Sequence, residues 1–509
     1  MTDISVDNAG LSWRGFLRPD RLRNAWLSID GNERALAWSQ SWTGIVVLHV
    51  VFIALLAACQ KVSMLSLGLI TITLAALAAA PAWRWPILGV AGVAYFMARP
   101  LRLTGQADYI DALRAGTPLL QAVPGFLYAA AMALVTLGLL WLVLRHQRAN
   151  PGTFFARRPV LSQIAFLFAL IAVALLLPLQ TLPHTVLWTL ISILGASFFF
   201  FSYLFADERA RAQTPQAVRL GFVRPFWGGS SIPFKSPSYL ARFEARDPLA
   251  LSRSRLKAVK LIVWAAILHG LHTLGVMVLH VELDVPTLRD AMVQFAQTRA
   301  EAGSETRLDR PGPGVAVGWA ALVTNFVLDL LYTAVVIHAY VAIVRMTGFC
   351  IPRGMARPLS SRSIAEFWNR YLFYFKEVLV DFFFYPAFAR YFKNHPRLRI
   401  AFATFCAAFV GNILFSVIWN AYRFGEIGPV ATLMMFQNYV FYAALLTAGL
   451  IASQLITRKP RPEDGFWRYD VLPRVRVIAF FLLCSVFVDE AGFLTFLDRF
   501  AFVIYLFIG

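Results

Sequence analysis

Long apolar runs separated by short polar segments set the pattern of this chain from end to end. Apolar stretches occupy 42–59, 64–80, 86–98, 123–144, 160–180 and 184–205. They resume at 259–279, 315–344, 400–422, 430–456, 477–488 and from 493 to the last residue. Several approach the roughly 20 residues a helix needs to cross the hydrocarbon core of a bilayer. The alternating, period-two signature of a membrane barrel is absent. The pattern predicts an all-α polytopic membrane protein of about 11–12 transmembrane helices. Residues 1–40, mixing charges and aromatics, read as a cytoplasmic segment with an interfacial helix. A single membrane domain covers 41–509.

Composition narrows the class further. The chain is 59% apolar and 15% charged, with a mean hydropathy of +0.62, whereas a soluble domain is nearer a quarter charged. A formal charge of +19 raises nucleic acid as a partner, but the Lys and Arg residues are confined to alternate segments. That is the distribution the positive-inside rule produces, so the bilayer is the expected partner and nucleic acid is not. With the N-terminus inside, the basic segments 145–158, 209–260, 345–399 and 458–476 face the cytoplasm of an inner (plasma) membrane. Asp108, Asp111, Glu426 and the nearly charge-balanced 282–310 segment face outward. Part of the excess charge is available to anionic lipid or an acidic partner.

The four cysteines are scattered singly, so neither zinc nor a disulfide framework is implied. His269 and His272 are three apart, but no neighbouring carboxylate or cysteine completes a metal set. Two polar segments are long enough to suggest function. The basic one, 206–258, contains Gly228-Gly229 flanked by Phe226, Trp227, Phe234 and Tyr239; the other, 281–314, predicts a short helix over 288–300.

Between the later apolar runs lies the most specific stretch, 348–386, GFCIPRGMARPLSSRSIAEFWNRYLFYFKEVLVDFFFYP. Pro352, Gly354, Pro358 and Pro386 interrupt it, and irregular backbone at membrane depth survives only when protein surrounds it or it lines a cavity. Short broken helices are expected. Arg357, Arg362, Arg370 and Lys376 supply cations beside the aromatic walls of Phe367, Trp368, Tyr371 and Phe375. Two readings fit: aromatic and snorkelling interface anchors, or a site for a phosphate-bearing thioester, where Arg is the better fork.

Gly348-Phe349, Pro352, Arg357-Pro358, Ser361 to Ile364, Phe367-Trp368, Arg370, Asp381 and Pro386 fall at fixed offsets. In these residues the stretch resembles the signature of the membrane-bound O-acyltransferases (MBOAT). The nearest branch is the bacterial one that O-acetylates alginate and D-alanylates teichoic acid. The resemblance implies an MBOAT-like bundle with re-entrant and interfacial helices, in which 206–258 takes the place of the family's Gly-Pro re-entrant segment. It also implies transfer of an acyl or acetyl group from a cytoplasmic acyl-CoA or acyl-carrier thioester to a hydroxyl of a polysaccharide, lipid or small molecule. No bound cofactor is implied, and a separate periplasmic or carrier protein is an expected partner. Donor-binding positions carried over are Trp368, Arg370, Arg362, Lys376 and Asp381.

The chain departs from the family at its histidines. The one two residues after the signature arginine is Leu372 here. The second, which would act as general base, falls at Asn412, Leu414 or Ser416, and no histidine follows His395. Asn412 can orient a hydroxyl or donate to an oxyanion, but it cannot accept the proton; its plainer role is bonding between helices. His338 stands where the family carries an Asp, and Asn325 and Asp329 are four apart on the same span. His338, Asn412 and Asp329 are therefore the catalytic candidates, with His338 bonding a neighbouring helix, through Asp329 or Asn325, as its alternative. Three functions are weighed: an acyltransferase, a catalytically degenerate relative kept as a binding or scaffold protein, and a transporter or flippase. The third lacks paired Gly/Pro-broken spans in two halves.

Overall fold

Helix is the only regular structure among the described residues, and a bilayer allows little else in a single chain without a closed barrel. The computed structural model describes residues 28–101, 103–210, 214–224, 226–227, 233–301, 313–455, 463, 465–488 and 494–508. Most of the expected N-terminal segment, and the Gly228-Gly229 pair, lie outside them.

Among the described residues, seven helices are long and apolar enough to cross a membrane: Gly125–Ala149, Pro159–Leu176, Leu182–Arg209, Pro248–Glu282, Val315–Met346, Pro396–Trp419 and Gln437–Leu455. The chain is a multi-pass membrane protein. Other expected spans form shorter apolar helices, such as Trp42–Ala58, Met64–Ala79 and Arg84–Ala98. The basic segment is shorter than expected, because helix resumes at Pro248. Asp247 caps it by accepting from the Ala250 amide at 2.7 Å, and Pro248 fills the first turn, where no amide donor is needed.

Leu182–Arg209 is the most buried span and packs against Gly125–Ala149, Pro159–Leu176 and Asn412–Trp419. Polar pairs tie it in. Gln163 donates to the Phe198 carbonyl at 2.9 Å and accepts from Ser202 at 2.9 Å, while Tyr128 meets Thr189 at 2.9 Å. Such bonds substitute for the hydrophobic drive that lipid cannot supply. The Pro248–Val276 and Val315–Met346 helices pair along most of their length.

The two segments singled out by the sequence are clasped together. Ala245 donates to the Gly348 carbonyl at 2.9 Å and Cys350 to the Phe243 carbonyl at 2.8 Å. Arg84 binds Glu244 and the Ala245 carbonyl, both at 3.0 Å. Gly354 sits so close to Ile337 that a Cβ would lie 2.3 Å from its side chain. As expected of a Pro-broken stretch, the chain then forms two short helices, Ile364–Tyr371 and Phe373–Leu379, and a π-helical turn, Val380–Phe384. That turn packs against a second one, Cys406–Gly411, just before Asn412. There Gly411 admits the Phe383 ring, which a Cβ would meet at 2.8 Å.

Candidate functional site

A cavity of about 500 Å³ opens where these broken helices meet the long spans. Its volume falls in the range of small-molecule sites. Val315–Met346 contributes Asn325, Phe326, Asp329 and Leu330; the two short helices contribute Phe367, Trp368, Tyr371, Leu372 and Phe375. Asn412, Phe415 and Ser416 close another side, with Tyr439, Tyr442 and Phe481 opposite, and Arg289 and Met292 at the edge. Aromatic contacts stiffen the wall: Phe367 stacks on Phe481 at 3.9 Å between centroids, and Phe375 meets Phe415 edge-on at 4.9 Å.

Three of the eight residues singled out by sequence line this cavity: Asp329, Asn412 and Trp368. Asp329 is exposed and accepts from Asn325 Nδ2 at 3.0 Å, the i,i+4 contact expected of that spacing. It has no ion-pair partner among the described residues. Asn412 is 0% exposed. Its Nδ2 donates to the Ala408 carbonyl at 3.1 Å, and its Oδ1 accepts from the Tyr439 hydroxyl at 3.0 Å.

His338 does not line the cavity. It is buried, its Nδ1 has no hydrogen-bond partner among the described residues, and no bond joins it to Asp329 or Asn325. Helical phase explains this. Nine residues at about 100° each turn His338 roughly 180° away from Asp329, and about 13 Å along the axis.

Arg362, Arg370, Lys376 and Asp381 also lie outside the cavity, and each is ion-paired. Arg362 binds Asp470 at 2.6 Å and covers the Tyr469 ring; Arg370 binds Glu366 at 2.5 Å and Ser360 at 2.6 Å. Lys376 binds Glu377 at 2.6 Å. Asp381 accepts from Tyr203 at 2.8 Å and lies 3.2 Å from Lys235, which reaches Glu377 at 2.5 Å. Lys235 has a left-handed backbone, φ +58°, strained for a residue with a side chain. Burial alone depresses its ammonium, but the Glu377 bond and the Asp381 charge outweigh that and raise it. Burial likewise pushes the Glu377 carboxyl up, and its bonds to Lys235 and Lys376 bring it below the usual range.

Sequence reasoning missed Tyr439, Tyr442 and Arg289 as cavity residues, and Ser416 entered only as one of three positions for the family's second histidine. The only signal was their placement on apolar or amphipathic helices, which packing alone explains equally well. No family model, curated protein or solved structure matches the chain.

Proposed function

We propose that this protein is a membrane-bound O-acyltransferase-like enzyme that uses the 500 Å³ cavity to hold the hydroxyl-bearing acceptor. The observation that carries the reading is Asp329: an accessible carboxylate, free of ion pairs among the described residues, facing a largely aromatic chamber one wall of which comes from the MBOAT-like stretch. In this reading Asp329 takes the proton of the acceptor hydroxyl, and the oxygen attacks the thioester carbonyl. The C–S bond breaks, the acyl group passes to oxygen, and the thiolate takes up a proton. Asn325 holds the carboxylate in place through its 3.0 Å bond, and a positioned base supplies about 10²–10⁴ in rate. The basic face is then cytoplasmic in an inner membrane and receives an acyl-CoA or acyl-carrier thioester. The acceptor is a polysaccharide, lipid or small-molecule hydroxyl, presented by a periplasmic partner where it is a polymer.

One observation favours a second reading, a catalytically degenerate relative that binds without transfer. Leu372 and Phe415 put bulk in the chamber wall near the positions where the family's histidines are expected, and the Asn412 amide, buried in that wall, is already bonded at both ends. Purified protein given a labelled acyl thioester and hydroxyl acceptors separates the two. Transfer that survives His338→Ala and falls with Asp329→Asn supports the enzyme. Retained acceptor binding with no transfer by the wild type supports the binding protein.

A further inference from the structure

A second cavity, of about 520 Å³, lies apart from the first, on the face that carries the Arg-rich segments. It is formed where the Gly125–Ala149 helix ends, the Phe154–Arg157 turn comes next, and the Leu182–Arg209 helix terminates. Arg148, Arg157 and Arg209 line it together with Gln147 and Glu208.

The charges do not balance. Glu208 is buried and fully engaged: Oε1 takes Arg148 at 2.5 Å, while Oε2 takes Arg219 at 2.8 Å and Gln216 at 3.3 Å. Arg219 behind it is 0% exposed, and its Nε and Nη1 lack hydrogen-bond partners among the described residues. Arg157 and Arg209 are exposed and have no ion pair among the described residues. Two guanidinium groups thus take the one carboxylate and two more line the cavity without an ion pair among the described residues, which favours an anion. Planar forked donors suit phosphate oxygens best.

Gln147 adds a second requirement. It is 3% exposed, its Nε2 donates to the Phe205 carbonyl at 3.0 Å, and its Oε1 has no donor among the described residues. A buried acceptor left unpaired is costly, so the ligand should bring a hydroxyl or ammonium as well as an anion. The surroundings add a third. Leu142, Phe154 and Leu161 nearby are exposed, and Arg145 and Arg158 lie over the rings of Trp141 and Phe154, 5.5 and 5.7 Å from their centroids. Apolar side chains open to lipid beside a cationic pocket match acyl chains beside a head group.

We infer that this cavity binds the head group of an anionic glycerophospholipid of the phosphatidylglycerol type. Its phosphate lies on Arg157, Arg209 and Arg148, its glycerol hydroxyl on Gln147 Oε1, and its chains along Trp141, Leu142 and Phe154.

The test is lipid retention by the full-length protein in phospholipid-free detergent, read by native mass spectrometry. Phosphatidylglycerol, phosphatidic acid, phosphatidylcholine and soluble glycerol phosphate serve as probes. Phosphatidylglycerol should bind at least about tenfold tighter than phosphatidylcholine, and Arg157→Gln with Arg209→Gln should remove about tenfold or more, the worth of one or two charge-assisted contacts. Arg246→Gln, at an exposed position outside the cavity, should leave retention unchanged. Gln147→Met should abolish the preference for phosphatidylglycerol over phosphatidic acid. Equal retention of phosphatidylglycerol and phosphatidylcholine overturns the site, and so do equal losses in the Arg246 and Arg157/Arg209 variants, which mean diffuse surface charge. Competition by glycerol phosphate at matching affinity overturns the lipid assignment in favour of a soluble phosphate ester.

Discussion

Tyr439 gives its hydroxyl proton to Asn412 Oδ1 at 3.0 Å, and Asn412 in turn donates to the Ala408 carbonyl at 3.1 Å. Both ends of the amide are therefore satisfied within the wall of the main cavity. The pair fastens the Gln437–Leu455 helix to the helix that carries Asn412. Tyr439→Phe leaves a buried amide oxygen without that donor and should lower stability by about 1–3 kcal/mol. In a double-mutant cycle with Asn412→Leu, read by thermal denaturation in detergent, the two losses should fall well short of additive. Simple addition would show that the bond contributes little.

Asp329 and His338 share one helix but face opposite sides of it, and this separates their predicted phenotypes. Asp329→Asn should lower acyl transfer by about 100-fold or more, the typical contribution of a general base. It should also flatten the rise of rate with pH, since an amide does not titrate. His338→Gln should leave both turnover and the pH profile close to wild type. A selective loss of turnover in His338→Gln with unchanged stability would transfer the role to His338.

The helical membrane class was legible because apolar runs are a one-dimensional signal. So was the broken geometry of 348–386, because proline and glycine act locally. Trp368 and Asn412 were singled out through the resemblance and Asp329 as a carboxylate within an apolar span, but their meeting at one chamber was not legible in the sequence. Partnership at a distance could not be read. Arg362 finds Asp470 at a separation of 108 residues, and Asp381 finds Lys235 at 146. Sequence alone made Arg362, Arg370 and Lys376 look available, whereas folding pairs each with a carboxylate. The opposed phase of His338 and Asp329 was readable, since 3.6 residues per turn fixes it once both lie on one helix.

Neutralised cations make poor phosphate ligands, so Arg362→Gln and Arg370→Gln should act on stability. Each exposes a carboxylate partner, Asp470 or Glu366, and leaves a partly exposed pair broken at a cost of about 0.2–1 kcal/mol. The KM for the acyl thioester should stay within about twofold of wild type, because the two guanidinium groups supply uniform binding to nothing in this arrangement. A tenfold rise in KM at unchanged melting temperature would restore them as donor ligands.

Lys235, Glu377 and Asp381 pin the basic segment to the 364–384 stretch, and the shifts of Lys235 and Glu377 give that joint a defined pH window. Glu377 is held below its ordinary 4.5 in the fold. Its contribution is therefore present above pH 4.5 and lost as pH falls through the lowered value. Lys235 is held above its ordinary 10.5, so its contribution is complete below pH 10.5 and lost only as pH rises through the raised value. Between these limits Lys235 and Glu377 are both charged. Lys235→Met should cost about 1–3 kcal/mol at neutral pH, between the surface and buried limits for a broken pair. It should also weaken the acid limb of stability, because Glu377 then loses one of the two ammonium groups that hold its carboxyl down. Melting temperature measured from pH 3 to 8 on both proteins checks this: the curves should converge at the acid end, and parallel curves would show that the joint does not titrate with folding.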